Sequence, residues 1–126
     1  MSVELNHTIV WCRDNRKSAE FLAEVLGLST GAETGPFVPV VLANSVTLDF
    51  ATVDEGPIAS QHYAFLISEA EFDASFARIE ERGIAYFADP HMRRAGEINR
   101  SDGGRGLYFR DPDGHSMELM TRRYGG

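Results

Sequence analysis

The chain has 126 residues and a formal net charge of −7, from 12 basic and 19 acidic side chains. This acidic balance argues against nucleic-acid binding, which needs a basic face. No apolar run approaches the roughly 18 to 20 residues of a membrane span, and the first residues lack the pattern of a signal peptide. The single cysteine, Cys12, cannot form an internal disulfide. We therefore expect a small protein of the cytoplasm, whose metal ligands must be His, Asp and Glu.

The first half of the chain predicts a strand, a helix and two further strands. Asp14 is suited to cap a helix over 16–26, which carries one apolar stripe and is followed by Gly27. Residues 53–60 have the composition of a linker. The strands are predicted from their apolar, β-branched and aromatic content at 5–12, 37–42 and 46–50.

The second half repeats this order. Ser68 and Glu71 have the spacing of a capping box, which predicts a helix that ends at Gly83. A polar stretch follows over 88–105, and the tetrapeptide at 111–114 is a strong turn signal. Strands are predicted at 61–67, 84–87, 106–109 and 116–120.

The two halves form an internal repeat. His7 corresponds to His62 at a shift of 55 positions, and Asp49 corresponds to Glu118 at a shift of 69 positions. The second shift is larger because the second half contains extra residues, and we place them in the polar stretch 88–105. Each half is too small to bury a robust core alone, so we expect the halves to pair.

Each half places a histidine on its first strand and a carboxylate on its last. Imidazole nitrogen and carboxylate oxygen together suit Fe(II), Mn(II), Ni(II), Co(II) or Zn(II). Two histidines and one carboxylate form the facial triad of non-haem iron oxygenases. The repeat therefore predicts a divalent-metal site, and the alternative is a pair of core histidines bonded to the backbone.

Three parts of the chain carry a resemblance to a known family. They are Leu5-Asn6-His7, Gln61-His62-Tyr63-Ala64-Phe65, and the tail from Tyr108-Phe109 through Asp111-Pro112-Asp113-Gly114-His115 to Glu118-Leu119. On these motifs the chain resembles the vicinal-oxygen-chelate superfamily, which includes glyoxalase I, extradiol dioxygenases, fosfomycin-resistance enzymes and bleomycin-resistance proteins. The resemblance implies an α+β fold of two paired βαβββ modules, which form a cupped mixed β-sheet with helices outside. It implies a single domain over 1–126, with modules at about 1–54 and 60–124.

The resemblance also implies the site. The family's metal ligands fall on His7, His62 and Glu118, and one divalent ion per site is implied, of the metals named above. Asp49 stands where glyoxalase I carries a fourth ligand, so it is a candidate ligand or general base, with a solvent-facing role as the alternative. Glu118 and Asp49 are thus the candidate catalytic residues. Homodimers of the family often build each site from both chains, so we expect a homodimer with sites near the subunit interface.

The polar stretch 88–105 is the candidate substrate loop. Arg100 and Arg105 suit a bidentate grip on an anionic or catecholic small molecule, and a solvated loop without this role is the alternative. The fosfomycin-modifying thiol transferases carry a lysine near this loop, whereas Lys17 is the only lysine here, which argues against specific fosfomycin resistance. The candidate walls of the substrate pocket are Trp11, Tyr63 and Tyr108.

We therefore expect a divalent-metal-dependent enzyme that acts on a small substrate chelated through vicinal oxygens, either a lyase or isomerase or an extradiol-type dioxygenase. The alternative is a protein that binds and sequesters a drug or metabolite without catalysis. Of the remaining reactive residues, we expect His115 to serve the turn, His91 to be solvated and Cys12 to be buried.

Overall fold

A computed structural model describes residues 2–124, and the chain divides into two units, Met1–Ile58 and Ala59–Gly126. We call them unit 1 and unit 2 and describe each by itself. Unit 1 contains β1 (His7–Cys12), α1 (Asn15–Leu26), β2 (Phe37–Val41) and β3 (Thr47–Thr52). Unit 2 contains β4 (His62–Leu66), α2 (Glu69–Glu81), β5 (Tyr86–Phe87), β6 (Gly106–Arg110) and β7 (Ser116–Met120).

The sheet of unit 1 has β3 at its centre, parallel to β1 and antiparallel to β2. Alternate side chains divide it into two faces. One face carries fully buried residues such as Val10, Val38 and Phe50, and α1 packs against the same strands. The opposite face carries the exposed His7.

Local signals set both ends of α1. Asp14 accepts a hydrogen bond of 3.1 Å from the backbone N–H of Lys17, which satisfies a donor that has no partner within the helix. Gly27 adopts φ 73°, and the N–H of Leu28 donates to the carbonyl of Ala23 at 2.8 Å. The predicted cap and the predicted end of this helix are therefore confirmed.

The sheet of unit 2 has the order β4-β7-β6-β5, with β4 parallel to β7 and the other neighbours antiparallel. Helix α2 begins with the predicted capping box. The N–H of Glu71 donates to the Ser68 hydroxyl at 3.1 Å, and the Glu71 carboxylate accepts from the N–H of Ser68 at 2.8 Å. Phe72 and Ile79 bury the apolar face of the helix. Both units have mixed sheets with helices, so the predicted α+β fold is confirmed.

The two units differ at one strand. Where unit 2 has β5, unit 1 has an isolated bridge between Thr30 and Val40. The carbonyl of Pro39 accepts from the N–H of Gly31 at 2.8 Å, but a proline has no N–H to donate in return. A longer ladder cannot form along this edge of β2.

Two side chains hold the polar stretch 88–105 together, and a backbone contact joins it to β6. The Asn99 side chain donates to the carbonyl of Ala88 at 2.8 Å, and its backbone exchanges hydrogen bonds with Gly106. The Asp89 carboxylate accepts from the backbone N–H groups of Arg93 and Arg94. A 3₁₀ turn at Ser101–Gly103 completes the segment. Within residues 2–124, no helix has the length and apolar content needed to cross a membrane.

Candidate metal and substrate site

The strand register of unit 2 places His62 and Glu118 on one face of the sheet. His62 pairs with Ser116 and Ala64 pairs with Glu118 across the parallel strands β4 and β7. Residues two positions apart on a strand point to the same face. The Nε2 atom of His62 therefore reaches the Oε1 atom of Glu118 at 2.9 Å. The Glu118 side chain is 3% exposed, whereas the His62 side chain is 48% exposed.

Two tyrosines complete the surroundings of Glu118. Tyr108 pairs with Glu118 across β6 and β7, and the hydroxyl of Tyr124 donates to both carboxylate oxygens at 2.9 and 2.8 Å. Burial is the largest cause of the raised pKa of Tyr108, and hydrogen bonds to Tyr124 and Glu118 raise it further. The hydrogen bond to Glu118 is the largest cause of the raised pKa of Tyr124. Both phenols therefore keep their protons at neutral pH and donate toward the buried carboxylate.

The ring of His62 is held from its other side. Its Nδ1 atom lies 3.2 Å from the Ser116 hydroxyl. The ring stacks on Tyr108 with a centroid separation of 6.0 Å and an interplanar angle of 29°. Because the carboxylate of Glu118 accepts at Nε2, Nδ1 is the acceptor for the Ser116 hydroxyl in the neutral ring.

A cavity of about 150 Å³ opens beside Glu118. It lies within unit 2, and most of its lining residues carry polar side chains. These residues are Asn99, Ser101, Asp102, Arg105, Tyr108, Glu118, Met120, Arg122 and Tyr124. The cavity therefore places guanidinium and phenol groups beside the buried carboxylate.

A family model described as "Glyoxalase/Bleomycin resistance protein/Dioxygenase superfamily" matches residues 4–119. The chain belongs to this superfamily. The resemblance to the vicinal-oxygen-chelate group is thereby confirmed on nearly the whole chain.

Three relatives within or near this superfamily have informative names. The solved structure of "Oxidase ChaP-H2" is 55% identical, with a TM-score of 0.96 over 100% of this chain and 98% of that one. Glutathione transferase FosA of Serratia marcescens is 31% identical over 94% of this chain and 81% of its own. Metallothiol transferase FosB of Shouchella clausii (strain KSM-K16) is 40% identical over 48% of this chain and 37% of its own. All three names are those of enzymes, and one of them names a metal.

In unit 1 the predicted site residues lie on one face of the sheet, opposite the face that is buried. His7 pairs with Thr47, Ile9 pairs with Asp49, and the strand alternation places His7 and Asp49 on one face. The Nδ1 atom of His7 lies 2.8 Å from the side-chain oxygen of Asn6. Trp11 shares this face and is 47% exposed.

The remaining candidates for substrate binding have other partners. The guanidinium of Arg105 lies at 2.8 Å from Glu69 and 2.9 Å from Asp73, so its charge is balanced, although it also lines the cavity. Arg100 is exposed at the start of the 3₁₀ turn. Tyr63 lies on the other face of β4, where its ring packs edge-on against His115 at a centroid separation of 5.8 Å.

The structure places His115, Cys12 and His91 in the environments that the sequence predicts. His115 is fully buried, and its Nδ1 accepts from the backbone N–H of Gln61 at 3.0 Å. The backbone N–H of His115 donates to the Asp111 carboxylate at 2.8 Å. Burial raises the pKa of Asp111. Cys12 is buried, and His91 is exposed.

Sequence reasoning missed Tyr124, Arg122 and Asn99. Tyr124 and Arg122 follow the last strand, where no periodicity or motif indicates a site. The only signal is one aromatic ring in an otherwise polar tail. Asn99 was one polar residue among many in its loop.

Two donor atoms of unit 2 are of the types that bind a divalent ion. A buried carboxylate and an imidazole nitrogen, 2.9 Å apart on one face, form a nitrogen and oxygen pair suited to a first-row transition metal. Within residues 2–124 no group of three His, Cys, Asp or Glu side chains is close enough together to hold a metal. His62 and Glu118 are therefore a pair of candidate ligands, without a third such side chain beside them in that part of the chain.

Proposed function

We propose that this chain is a divalent-metal-dependent enzyme that acts on a small substrate through two vicinal oxygens, and that it works as an oxidase. The observation that carries the proposal is the buried carboxylate of Glu118, which contacts His62 beside an open cavity. A carboxylate with this burial requires strong partners, and a metal ion supplies one. The identity of 55% with an oxidase over the full length favours oxidation over the lyase and isomerase reactions of the superfamily.

We propose His7, His62 and Glu118 as the metal ligands. When bound, the divalent ion supplies a Lewis acid for the two substrate oxygens, and a redox-active ion such as Fe(II) suits an oxidase. The proposal includes Asp49 as a fourth ligand or as the base that removes a substrate proton. It also includes a homodimer in the cytoplasm, in keeping with the family resemblance and the single cysteine.

The chain's own residues prepare the ligands. His62 must release its Nε2 proton to bind a metal, and the neutral ring then carries its proton on Nδ1. The Ser116 hydroxyl, 3.2 Å from Nδ1, is able to accept that proton's hydrogen bond because a hydroxyl both donates and accepts. Such outer partners fix the ring orientation of ligating histidines.

The cavity residues bind and orient the substrate. Tyr108 lines the cavity next to Glu118, and Arg105 and Arg122 place guanidinium N–H donors in its wall. Such donors suit an anionic or catecholic molecule. We retain Arg100, Tyr63 and Trp11 as further candidate contacts. Of the proposed substrate residues, Tyr108 and Arg105 are the ones that line the cavity.

The test is an anaerobic reconstitution with Fe(II), Mn(II), Ni(II), Co(II) or Zn(II), followed by a screen of catechols, hemithioacetals and epoxides. We expect about one ion per chain and oxygen uptake with a catechol in the Fe(II) form. His62→Ala should lose both, while His91→Ala, in an exposed loop, is the matched control.

Two outcomes would contradict parts of this proposal. Turnover of a hemithioacetal or an epoxide without oxygen uptake would replace the oxidase with another reaction of the superfamily. Tight binding of small molecules without any turnover, in a protein that binds none of the five ions, would favour the sequestration role.

A further inference from the structure

Tyr124 is an exposed residue that engages a buried charge. Its residue surface is 47% exposed, yet its hydroxyl donates to both oxygens of Glu118, at 2.9 and 2.8 Å. It stands four residues beyond the end of β7, outside the sheet. The hydroxyl thus supplies the buried carboxylate with a donor from outside the sheet.

Metal binding changes which donors Glu118 retains. The Nε2 atom of His62 has one lone pair or one proton, so it cannot bind a cation and donate to Glu118 together. A metal at Nε2 therefore removes the 2.9 Å hydrogen bond from His62 to the carboxylate. The hydroxyl of Tyr124 does not depend on that bond and remains able to hold one oxygen.

The segment that carries Tyr124 is anchored to the sheet. The N–H of Thr121 donates to the carbonyl of Arg105 at 2.9 Å, and the N–H of Arg105 donates to the Thr121 hydroxyl at 2.8 Å. A Cβ atom on Gly104 would meet the side chains of Thr121 and Arg122 at 2.5 Å each. The close approach at Gly104 and the two hydrogen bonds fix the start of the tail, which limits the conformational entropy lost in holding Tyr124 on Glu118.

We propose that Tyr124 is the positioning residue for the metal ligand Glu118. Its hydroxyl holds one carboxylate oxygen and leaves the other to the metal, so that residues 121–124 are a working part of the metal site. The inference rests on the proposed function, because it needs Glu118 to be a ligand. It adds that the ligand's orientation depends on a residue outside both strands that carry the site.

The experiment measures metal affinity rather than turnover. Zn(II) and Mn(II) are titrated into the full chain against a competing chelator at one fixed pH. Removing an outer partner of a ligand typically lowers metal affinity by about 10- to 100-fold, which is the loss expected for Tyr124→Phe. The matched control is Tyr86→Phe, which deletes a Tyr–Glu hydrogen bond of 3.3 Å to Glu80 outside the cavity. The metal affinity of this control should stay within about twofold of the wild-type value, because the bond from Tyr86 to Glu80 contacts no proposed metal ligand.

A double variant separates positioning from a general structural role. If Tyr124 acts through Glu118, adding Tyr124→Phe to Glu118→Gln produces no further loss of affinity, since coupled residues are not additive. A loss that adds in full would overturn the inference, and so would wild-type affinity in Tyr124→Phe.

The two proposals can fail separately. Unchanged affinity in Tyr124→Phe together with a large loss in Glu118→Gln would overturn only the role of Tyr124. Unchanged affinity in Glu118→Gln, or a wild-type chain that binds neither ion, would overturn the proposed metal site and the role of Tyr124 with it. The thermal midpoint of each metal-free variant shows whether the fold is retained.

Discussion

Units 1 and 2 carry the same set of residue types in the same strand register. In each unit a histidine opens the first strand and pairs with a hydroxyl residue, and a carboxylate follows two residues along the partner strand. The equivalent sets are His7, Thr47 and Asp49 in unit 1 and His62, Ser116 and Glu118 in unit 2. The two sheets thus repeat one local pattern of ligand-type side chains.

The side chains nevertheless behave differently in the two units. Glu118 is buried and contacts His62, whereas the ring of His7 contacts its neighbour Asn6 and Asp49 is half-buried. Aspartate is one methylene shorter than glutamate, and Tyr124 supplies unit 2 with an added donor from outside the sheet. Strand register brings a histidine and a carboxylate to one face in both units, and they are in contact in the unit that has the longer side chain and the outer donor.

The largest expected effect is on metal affinity, when the carboxylates of Glu118 and Asp49 are replaced in turn. Glu118→Gln should lower the affinity for Zn(II) or Mn(II) by more than about 100-fold, beyond the range of outer-partner variants, because a ligand is lost. Asp49→Asn should lower it by less than about tenfold. The measurement is the chelator competition, with the exposed Glu80→Gln as the control. Equal losses at both positions would show that unit 1 contributes as much as unit 2.

Lengthening the shorter side chain should sharpen the comparison. In Asp49→Glu the carboxylate gains the reach of Glu118, so we expect metal affinity to rise by about three- to tenfold, or up to about 1.4 kcal/mol. The same titration measures it, and Asp54→Glu in the exposed segment after β3 is the control. A drop in affinity would show that aspartate is already the preferred length at this position.

Local features were predictable from sequence, and long-range ones were not. The caps at Asp14 and Ser68 were correct because capping depends on residues three positions apart. Strand β3 continues to Thr52, beyond the expected end at Phe50, because it pairs along the whole of β1. That partner lies about 40 residues away, so no local pattern indicates it.

The candidate site likewise has parts that the sequence predicts and parts that only the tertiary structure shows. The repeat and the family motif pointed to His62 and Glu118, which the structure joins. The contact from Tyr124 depends on the path of the tail after β7, which composition does not encode. The ion pairs of Arg105 with Glu69 and Asp73 depend on where the first turns of α2 lie relative to Arg105, which is likewise a tertiary feature.

The helix caps offer a smaller contrast between the units. The double variant Ser68→Ala with Glu71→Ala removes both bonds of the capping box and should lower the free energy of unfolding by about 1–2 kcal/mol. Asp14→Ala removes one bond and should cost about 0.5–1 kcal/mol. Urea unfolding measures both, and Ser29→Ala, at an exposed serine outside either helix, is the control. A larger loss at Asp14 would mean that unit 1 depends more on its helix.

The smallest effect concerns the turns that close the last hairpins. Ser45 adopts φ 69° in unit 1, whereas Gly114 adopts φ 86° in unit 2. Because a side chain is strained in this region, Ser45→Gly should raise the free energy of unfolding by up to about 1 kcal/mol, while Gly114→Ser should lower it by about the same amount. Matched urea unfolding curves measure both changes. Destabilisation by Ser45→Gly would indicate that the serine side chain has a role that outweighs its strain.

The central claim is that unit 2 presents a metal ligand at His62 Nε2. The chain has four histidines, so nitrogen NMR of the imidazoles during a Zn(II) titration follows each ring directly. We predict that the His62 Nε2 signal moves to the position of a metal-bound nitrogen at one equivalent. The signals of the buried His115 and the exposed His91 should stay in place. An unmoved His62 signal, at a Zn(II) concentration that shifts another histidine, would contradict the account.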